Sequence, residues 1–309
     1  MKEVSIEDGQ LAVVGAADEN YAQYLLVAFV SALLNTTDKA KIKFFCLDGG
    51  IKPQTKRVME DKLEKLGSSI VFLTIDGTQY DQFKVIKHLT KVAYYRLSIP
   101  SLFQGVTDRV LYIDCDLIVT GDLLQLLQIN FDNKPVAAVE DISTSSHMNT
   151  GLKRKDYINS GFLLINIDAW NKKEINRKVI EVLEKELVDN DQCAINIALD
   201  GEWLRLPLVW NYQSGIYRNK KYIIENYGYQ QLIDVIKKPN VIHFVGSDKP
   251  WKKVCYHPWE NDYIKYADAA EVEIYKLPEL KKMLISLLSF STIKKYIRFV
   301  YRKSQLRNK

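Results

Sequence analysis

Two patterns of apolar positions alternate along the chain: short unbroken runs, and longer stretches with helical spacing. Leu11-Ala12-Val13-Val14 is a run that closes at Gly15, as a buried strand does, and an apolar helical stretch follows from about Tyr21 to Leu34. Ile42 to Leu47 repeats the strand signal and ends in the turn Asp48-Gly49-Gly50; Lys52 to Leu66 then has helical periodicity and stops at Gly67. Ile70 to Ile75 is a third strand. Strands alternating with helices in units of about 30 residues predict an α/β fold, a Rossmann-like parallel sheet with helices on both faces.

Further on, a short helix is predicted around Ala93 to Leu97, and Arg109 to Ile113 forms a strand followed at once by Asp114-Cys115-Asp116. Ligands of open α/β sheets sit beyond the carboxyl ends of strands, so chemistry is expected there. Val136 to Val139 and Phe162 to Ile167 read as further buried strands, with a polar loop from Asp141 to Lys155 between them. Asn171 to Val188 reads as a charged helix and Asp191 to Leu199 as a second. After Pro278, Met283, Leu284, Leu287 and Leu288 recur at helical spacing, as do Ile293, Tyr296, Ile297, Val300 and Tyr301, with Lys294, Lys295, Arg298 and Arg302 on another arc.

Composition narrows the classes. The 309 residues suffice for one large domain, placed at 1–265, with a helical appendage at 266–309. The longest strongly apolar run, Leu25 to Leu34, is ten residues, half of the roughly 20 that a membrane-spanning helix needs. Glu3, Glu7 and Asp8 stand where a secretory signal would be basic. Cys46, Cys115, Cys193 and Cys255 are widely spaced, as in a reducing compartment, and form no zinc pattern. A cytoplasmic protein is expected. The net charge is +5, but nine positive charges and no acids fall in 281–309, so the rest of the chain carries −4.

At the mouth of its strand, Asp114-x-Asp116 points two carboxylates the same way if the chain stays extended, with Cys115 opposite. Two close carboxylates repel unless a cation lies between them, and hard oxygen ligands suit Mg²⁺ or Mn²⁺. A solvated turn would explain the same pair. His243 lies in the apolar run Val241 to Val245, where a histidine is often only a packed core residue, yet Gly246-Ser247-Asp248-Lys249 follows directly, and a lysine on such a turn can reach a diphosphate. An imidazole beside two aspartates tilts the preference toward Mn²⁺.

Six ordered segments carry a resemblance: Ala16-Ala17-Asp18-Glu19-Asn20-Tyr21-Ala22, Ala93 to Leu97, Leu111 to Asp116, Asn159-Ser160-Gly161-Phe162-Leu163-Leu164-Ile165-Asn166, Asp191-Gln192, and His243 to Trp251. Over residues 11 to about 260 the chain resembles family eight of the retaining glycosyltransferases, especially its bacterial lipooligosaccharide galactosyltransferase and general-stress-protein branch. The resemblance implies a GT-A fold, a UDP-galactose or UDP-glucose donor, Mn²⁺, and a saccharide acceptor, lipid-linked or on a glycoprotein. It places Ala17, Asp18, Asn20 and Tyr21 at the nucleoside, with Asp18 on the uracil imide and Tyr21 stacked on the base. Asp114, Asp116 and His243 become metal ligands, with Cys115 between the acids. Arg96, Gly246 and Lys249 lie at the diphosphate, and Asp141, Asn159, Ser160, Asp191 and Gln192 around the donor sugar and acceptor. Catalysis falls to Gln192, with Asp191 as the alternative nucleophile. Cys193 stands where the family frequently has an acid.

The basic amphipathic tail predicts attachment to an anionic membrane surface, with packing on the body as the alternative; the acidic body gives a nucleic-acid binder no supporting patch. A catalytically silent sugar-nucleotide binder would be expected to lose a metal ligand. A nucleotidyltransferase would need a Gly-rich basic loop after the first strand, where this chain has Ala16-Ala17-Asp18-Glu19.

Overall fold

The computed structural model describes residues 4–83, 91–142, 145, 147, 148, 150–185, 191–287 and 290–307. From the N-terminus, β1 (Leu11–Ala17), α1 (Ala22–Leu34), β2 (Ile42–Asp48), α2 (Pro53–Lys65) and β3 (Ile70–Thr74) make two successive β–α–β units. A 3₁₀ segment, Lys91–Ser98, and the single turn α3 (Ile99–Leu102) lead to β4 (Arg109–Ile113), β5 (Leu117–Val119), β6 (Val136–Glu140) and β7 (Ile158–Asn166). Next come α4 (Ile167–Lys172), α5 (Ile175–Glu184), α6 (Asp191–Leu199), β8 (Leu204–Arg205) and β9 (Tyr212–Gln213). The chain continues through α7 (Lys220–Tyr227), α8 (Tyr229–Lys237), β10 (Val241–His243) and α9 (Glu260–Ala269), and the described part closes with α10 (Glu279–Ser286) and α11 (Phe290–Arg307).

The main sheet has seven strands in the order β3-β2-β1-β4-β7-β6-β8, and a second sheet has the order β5-β10-β9. β1 is wholly buried. Leu11 and Val13 feed the apolar layer on one face, Ala12 and Val14 the layer on the other, which is why the run is continuous rather than alternating. α1 is apolar nearly all round because it lies inside this packing, with ten buried residues. The chain runs outward from β1 to β3 and returns to β4 on the other side of β1. Such a reversal opens a crevice at the carboxyl ends of the two strands. It sets the segment after Ala17 beside the segment after Ile113.

The sheet is mixed rather than parallel throughout, because β7 runs antiparallel between β4 and β6. β7 also begins earlier than Phe162. Asn159, Ser160 and Gly161 are buried strand residues whose polarity hid the strand, and Ile167 opens α4. The charged helix expected from Asn171 to Val188 is two helices, broken at Glu174, which has φ +52; residues 186–188 lie outside the described residues, as do 143, 144, 146 and 149 of the polar loop and Leu288 and Lys309 of the tail. The helix expected at Ala93–Leu97 is 3₁₀.

The tail forms two helices as predicted, and they are tied to the body. Lys282 is completely buried against Glu260 of α9, Tyr256 packs on Tyr296 and Phe299, and the Arg302 guanidinium lies over Tyr217. Most of the residues read as its apolar stripe face outward: Met283, Leu284, Leu287, Ile297, Val300 and Tyr301 are exposed.

Candidate active site

Backbone pairing brings the site together from four elements. Asp114 N–H donates to Gly161 O at 2.9 Å, extending the β4–β7 pairing by one residue, and Phe244 N–H donates to Asp116 O at 2.8 Å beside the β5–β10 pair. Asp114-Cys115-Asp116 is a turn, not extended chain. The carboxylates still converge, while the Cys115 thiol turns away to Ala16 O at 3.1 Å.

Asp114, Asp116 and His243 each offer a ligand atom, and these atoms lie within 4.8 Å of one another. His243 Nε2 is 3.0 Å from Asp116 Oδ1 and 3.9 Å from Asp114 Oδ2. Its Nδ1 is 3.2 Å from Asn211 Oδ1, and Asn211 Nδ2 donates to Asn159 Oδ1 at 2.9 Å. That leaves the Asn211 oxygen to accept from Nδ1–H, so Nε2 is the ring nitrogen that faces the two acids. A cation between them makes this arrangement attractive. Gly161 supplies the room: a Cβ there would lie 2.3 Å from His243 Cε1 and 2.6 Å from Asp114 Oδ2. Two carboxylates, one imidazole and a cradle kept free of side chain fit a hard divalent cation with some tolerance for nitrogen.

Two cations, Arg96 buried and Lys249 half-buried, balance the acids. Arg96, 7% exposed, donates from Nη2 to Asp114 at 3.0 Å and from Nη1 to Ser160 O at 2.7 Å, while its Nε pairs with Asp191 at 3.1 Å. Tyr112 lies beneath the guanidinium, its Oη donating to Asp114 at 2.7 Å. Lys249 pairs with Asp116 and donates to Phe244 O at 2.7 Å. Burial opposes the charge on Asp116, but Lys249 and His243 outweigh it and hold the carboxyl below its usual range. For Asp191, burial wins over Arg96 and the carboxyl is raised.

Gln192 sits at the start of α6, where its Oε1 accepts from Ser160 N–H at 3.0 Å and its Nε2 donates to Asp141 at 2.9 Å. Asn159 Nδ2 reaches the same Oε1 at 3.4 Å, and Tyr157 Oη contacts Cys193 Sγ at 3.0 Å. At the other end of the crevice, Asp18 Oδ1 accepts from the backbone N–H groups of Asn20 and Tyr21 at 3.0 and 3.1 Å, fixing the turn from Ala17 into α1. Gly246 has φ +85, which lets the chain turn back after β10 and aim Lys249 inward.

The structure therefore gathers Arg96, Asp114, Asp116, Asn159, Ser160, Asp191, Gln192, Asp141, His243 and Lys249 into one network, with Asp18, Asn20 and Tyr21 beside α1. Sequence reasoning missed three contributors. Gly161 lay within a quoted segment, where its lack of a side chain was the available signal; Tyr112 read as strand core; and Asn211 gave no signal. A surface depression of about 340 Å³ near Gln10, Lys39 and Lys43 lies at the opposite, amino ends of β1 and β2.

Comparison with known proteins agrees with this geometry. Residues 12–255 match the family described as glycosyl transferase family 8. General stress protein A of Bacillus subtilis (strain 168) is 36% identical over 269 residues, covering 84% of this chain and 94% of that protein. Glycosyltransferase GlyF of Streptococcus pneumoniae serotype 4 is 28% identical over 245 residues, 78% of this chain and 57% of its own length. The fold is also similar to that of the galactosyltransferase LgtC, solved in complex with donor and acceptor sugar analogs, with TM-score 0.75 and 25% identity over 87% of this chain and 98% of that one.

Proposed function

This chain belongs to glycosyl transferase family 8 and has the GT-A fold, and from that premise we propose that it transfers galactose or glucose from a UDP-sugar to a saccharide acceptor with retention of configuration, using Mn²⁺, with Mg²⁺ as the second candidate. The observation that carries this reading is the convergence of Asp114, Asp116 and His243 around the Gly161 cradle, between Arg96 and Lys249. Breaking the anomeric C–O bond leaves negative charge on a diphosphate, and a cation held by the two aspartates and the imidazole would supply its neutralisation. Lys249 and Arg96, flanking that cluster, would add fixed positive charge to it. Tyr21 offers a stacking face and Asp18 Oδ2 an acceptor for the uracil imide N–H.

The expected result is Mn²⁺-dependent release of UDP from UDP-galactose or UDP-glucose, lost on chelation and restored by Mn²⁺. Release of pyrophosphate from UTP and a sugar phosphate would identify a nucleotidyltransferase instead. Galactose and glucose are separated by running the same assay over a panel of UDP-sugars.

The boundary expected at 265 falls inside α9, whose Tyr266 and Ala267 are buried in the main core, so we assign α9 to the catalytic body and α10 and α11 to a tail that rests on the inner face of the cell membrane, which suits a lipid-linked acceptor; an acceptor on a glycoprotein is the other source. None of the described helices is long and apolar enough to cross a membrane. Support comes from the outward apolar face of α10 and α11 beside Lys294, Lys295 and Arg298, each basic residue being worth about 1 kcal/mol near an anionic surface. Removing the tail would leave Glu260 buried without Lys282, so surface substitution is the cleaner test. Leu284→Ser, Leu287→Ser and Ile297→Ser together are expected to abolish flotation with phosphatidylserine-containing vesicles without changing UDP release. Unchanged flotation would refute the attachment.

A further inference from the structure

Tyr21 at the start of α1 and Lys249 on the loop after β10 lie far apart in the chain, yet a continuous series of ring contacts joins them. The Tyr21 and Tyr24 rings meet edge to face at 5.9 Å, and Tyr24 stacks flat on Trp251, with centroids 3.9 Å apart and planes 10° from parallel. The Lys249 ammonium lies over the Trp251 ring at 5.9 Å, and Tyr263 of α9 closes on Trp251 at 5.7 Å. Hydrogen bonds of the loop run within it or to the Asp116 turn: Lys252 donates to Ser247 O, Tyr256 N–H to Asp248, and Lys249 to Phe244 O and to Asp116. Among the described residues, the Tyr24–Trp251 stack ties the loop to α1. Neither ring is fully buried, so the stack is not simply core packing.

We propose that Tyr24 and Trp251 are positioning residues that fix the span between the base-stacking Tyr21 and the phosphate-binding Lys249, and so select nucleoside diphosphates over monophosphates. The inference rests on the assignment of a UDP-sugar donor to this crevice. A ligand carrying one phosphate uses the Tyr21 end alone, whereas a diphosphate must satisfy both ends at once, and its affinity depends on their separation being set beforehand. A ring stack is suited to this, because an aromatic pair contributes stabilisation beyond the area it buries.

The test measures UDP and UMP binding in Mn²⁺ by calorimetry for the full-length chain, Tyr24→Leu and Tyr24→Phe. Tyr24→Leu is expected to weaken UDP about fivefold to tenfold, as loss of one aromatic pair implies, and UMP less than twofold, while Tyr24→Phe keeps the wild-type ratio. Should circular dichroism show Tyr24→Leu unfolded, Trp251→Leu takes its place with the same expectation. An unchanged UDP-to-UMP ratio, whether both ligands weaken equally or neither does, would overturn the inference. Failure of the wild-type chain to bind UDP at all would overturn the donor assignment instead, so the two outcomes are distinct.

Discussion

Gly161→Ala is expected to remove Mn²⁺ binding in the presence of UDP and to lower sugar transfer at least ~100-fold, while the chain remains folded. A methyl group at this position would lie 2.3 Å from His243 Cε1, 2.6 Å from Asp114 Oδ2 and 3.0 Å from His243 Nε2. Neither neighbour can give way cheaply. The imidazole is held from behind by Asn211 at 3.2 Å on a strand paired on both edges, and Asp114 is held by Arg96 and Tyr112. Displacing reacting or liganding atoms by about 1 Å already costs about 100-fold, and here two ligands of one candidate cation are displaced together. Overpacking costs about 1–3 kcal/mol, less than the 5–15 kcal/mol of a typical domain, so far-UV circular dichroism should stay native. Electron paramagnetic resonance of free Mn²⁺ gives the binding directly. Retention of wild-type Mn²⁺ affinity by Gly161→Ala would show that the cation does not sit between these side chains.

The same glycine shows how far the sequence could be read. Strands β1 to β4 were legible as mostly apolar runs, β1 wholly buried and β2 broken only by Lys43, α1 by its length of apolar residues, and α2 because Pro53 and Gly67 punctuate its ends. β7 was legible only from Phe162 onward, since Asn159 and Ser160 are polar for the sake of the crevice they line rather than for solvent. Polarity at a buried site and polarity at a surface look alike in one dimension. The convergence of Asp114 and Asp116 was foreseen, although by strand alternation, whereas the chain achieves it in a turn. Asn211 could not be foreseen. Its place behind His243 depends on β9 pairing with β10, a contact between strands of two and three residues that no periodicity announces. The break at Glu174 was hidden for a related reason, because a single left-handed residue between two polar helical stretches leaves the charge pattern intact.

Gln192→Glu is expected to lose ~100-fold or more in transfer without trapping a glycosyl adduct, and Gln192→Ala to keep partial activity. In the structure the amide is held from both sides, its oxygen by Ser160 N–H at 3.0 Å and its nitrogen by Asp141 at 2.9 Å. The glutamate would set a second carboxylate against Asp141, and two such groups cannot both stay ionised at that distance without repulsion. Alanine removes the amide dipole but adds no charge. If attack comes from the face that the diphosphate leaves, a departing phosphate oxygen takes the acceptor proton, and Gln192 contributes a fixed carbonyl dipole toward the positive anomeric carbon. Loss of one such preorganised group costs about 100- to 1,000-fold in other enzymes, which sets the scale for Gln192→Ala, and the added repulsion against Asp141 places Gln192→Glu at or beyond it. The rival route needs Asp191 as nucleophile, but Asp191 is buried and paired with Arg96 at 3.1 Å, and attack would have to break that pair. Intact-mass spectrometry of wild-type chain quenched during turnover decides between them: a hexose adduct mapped to Asp191 would overturn same-face attack, and its absence together with residual activity in Gln192→Ala would support it.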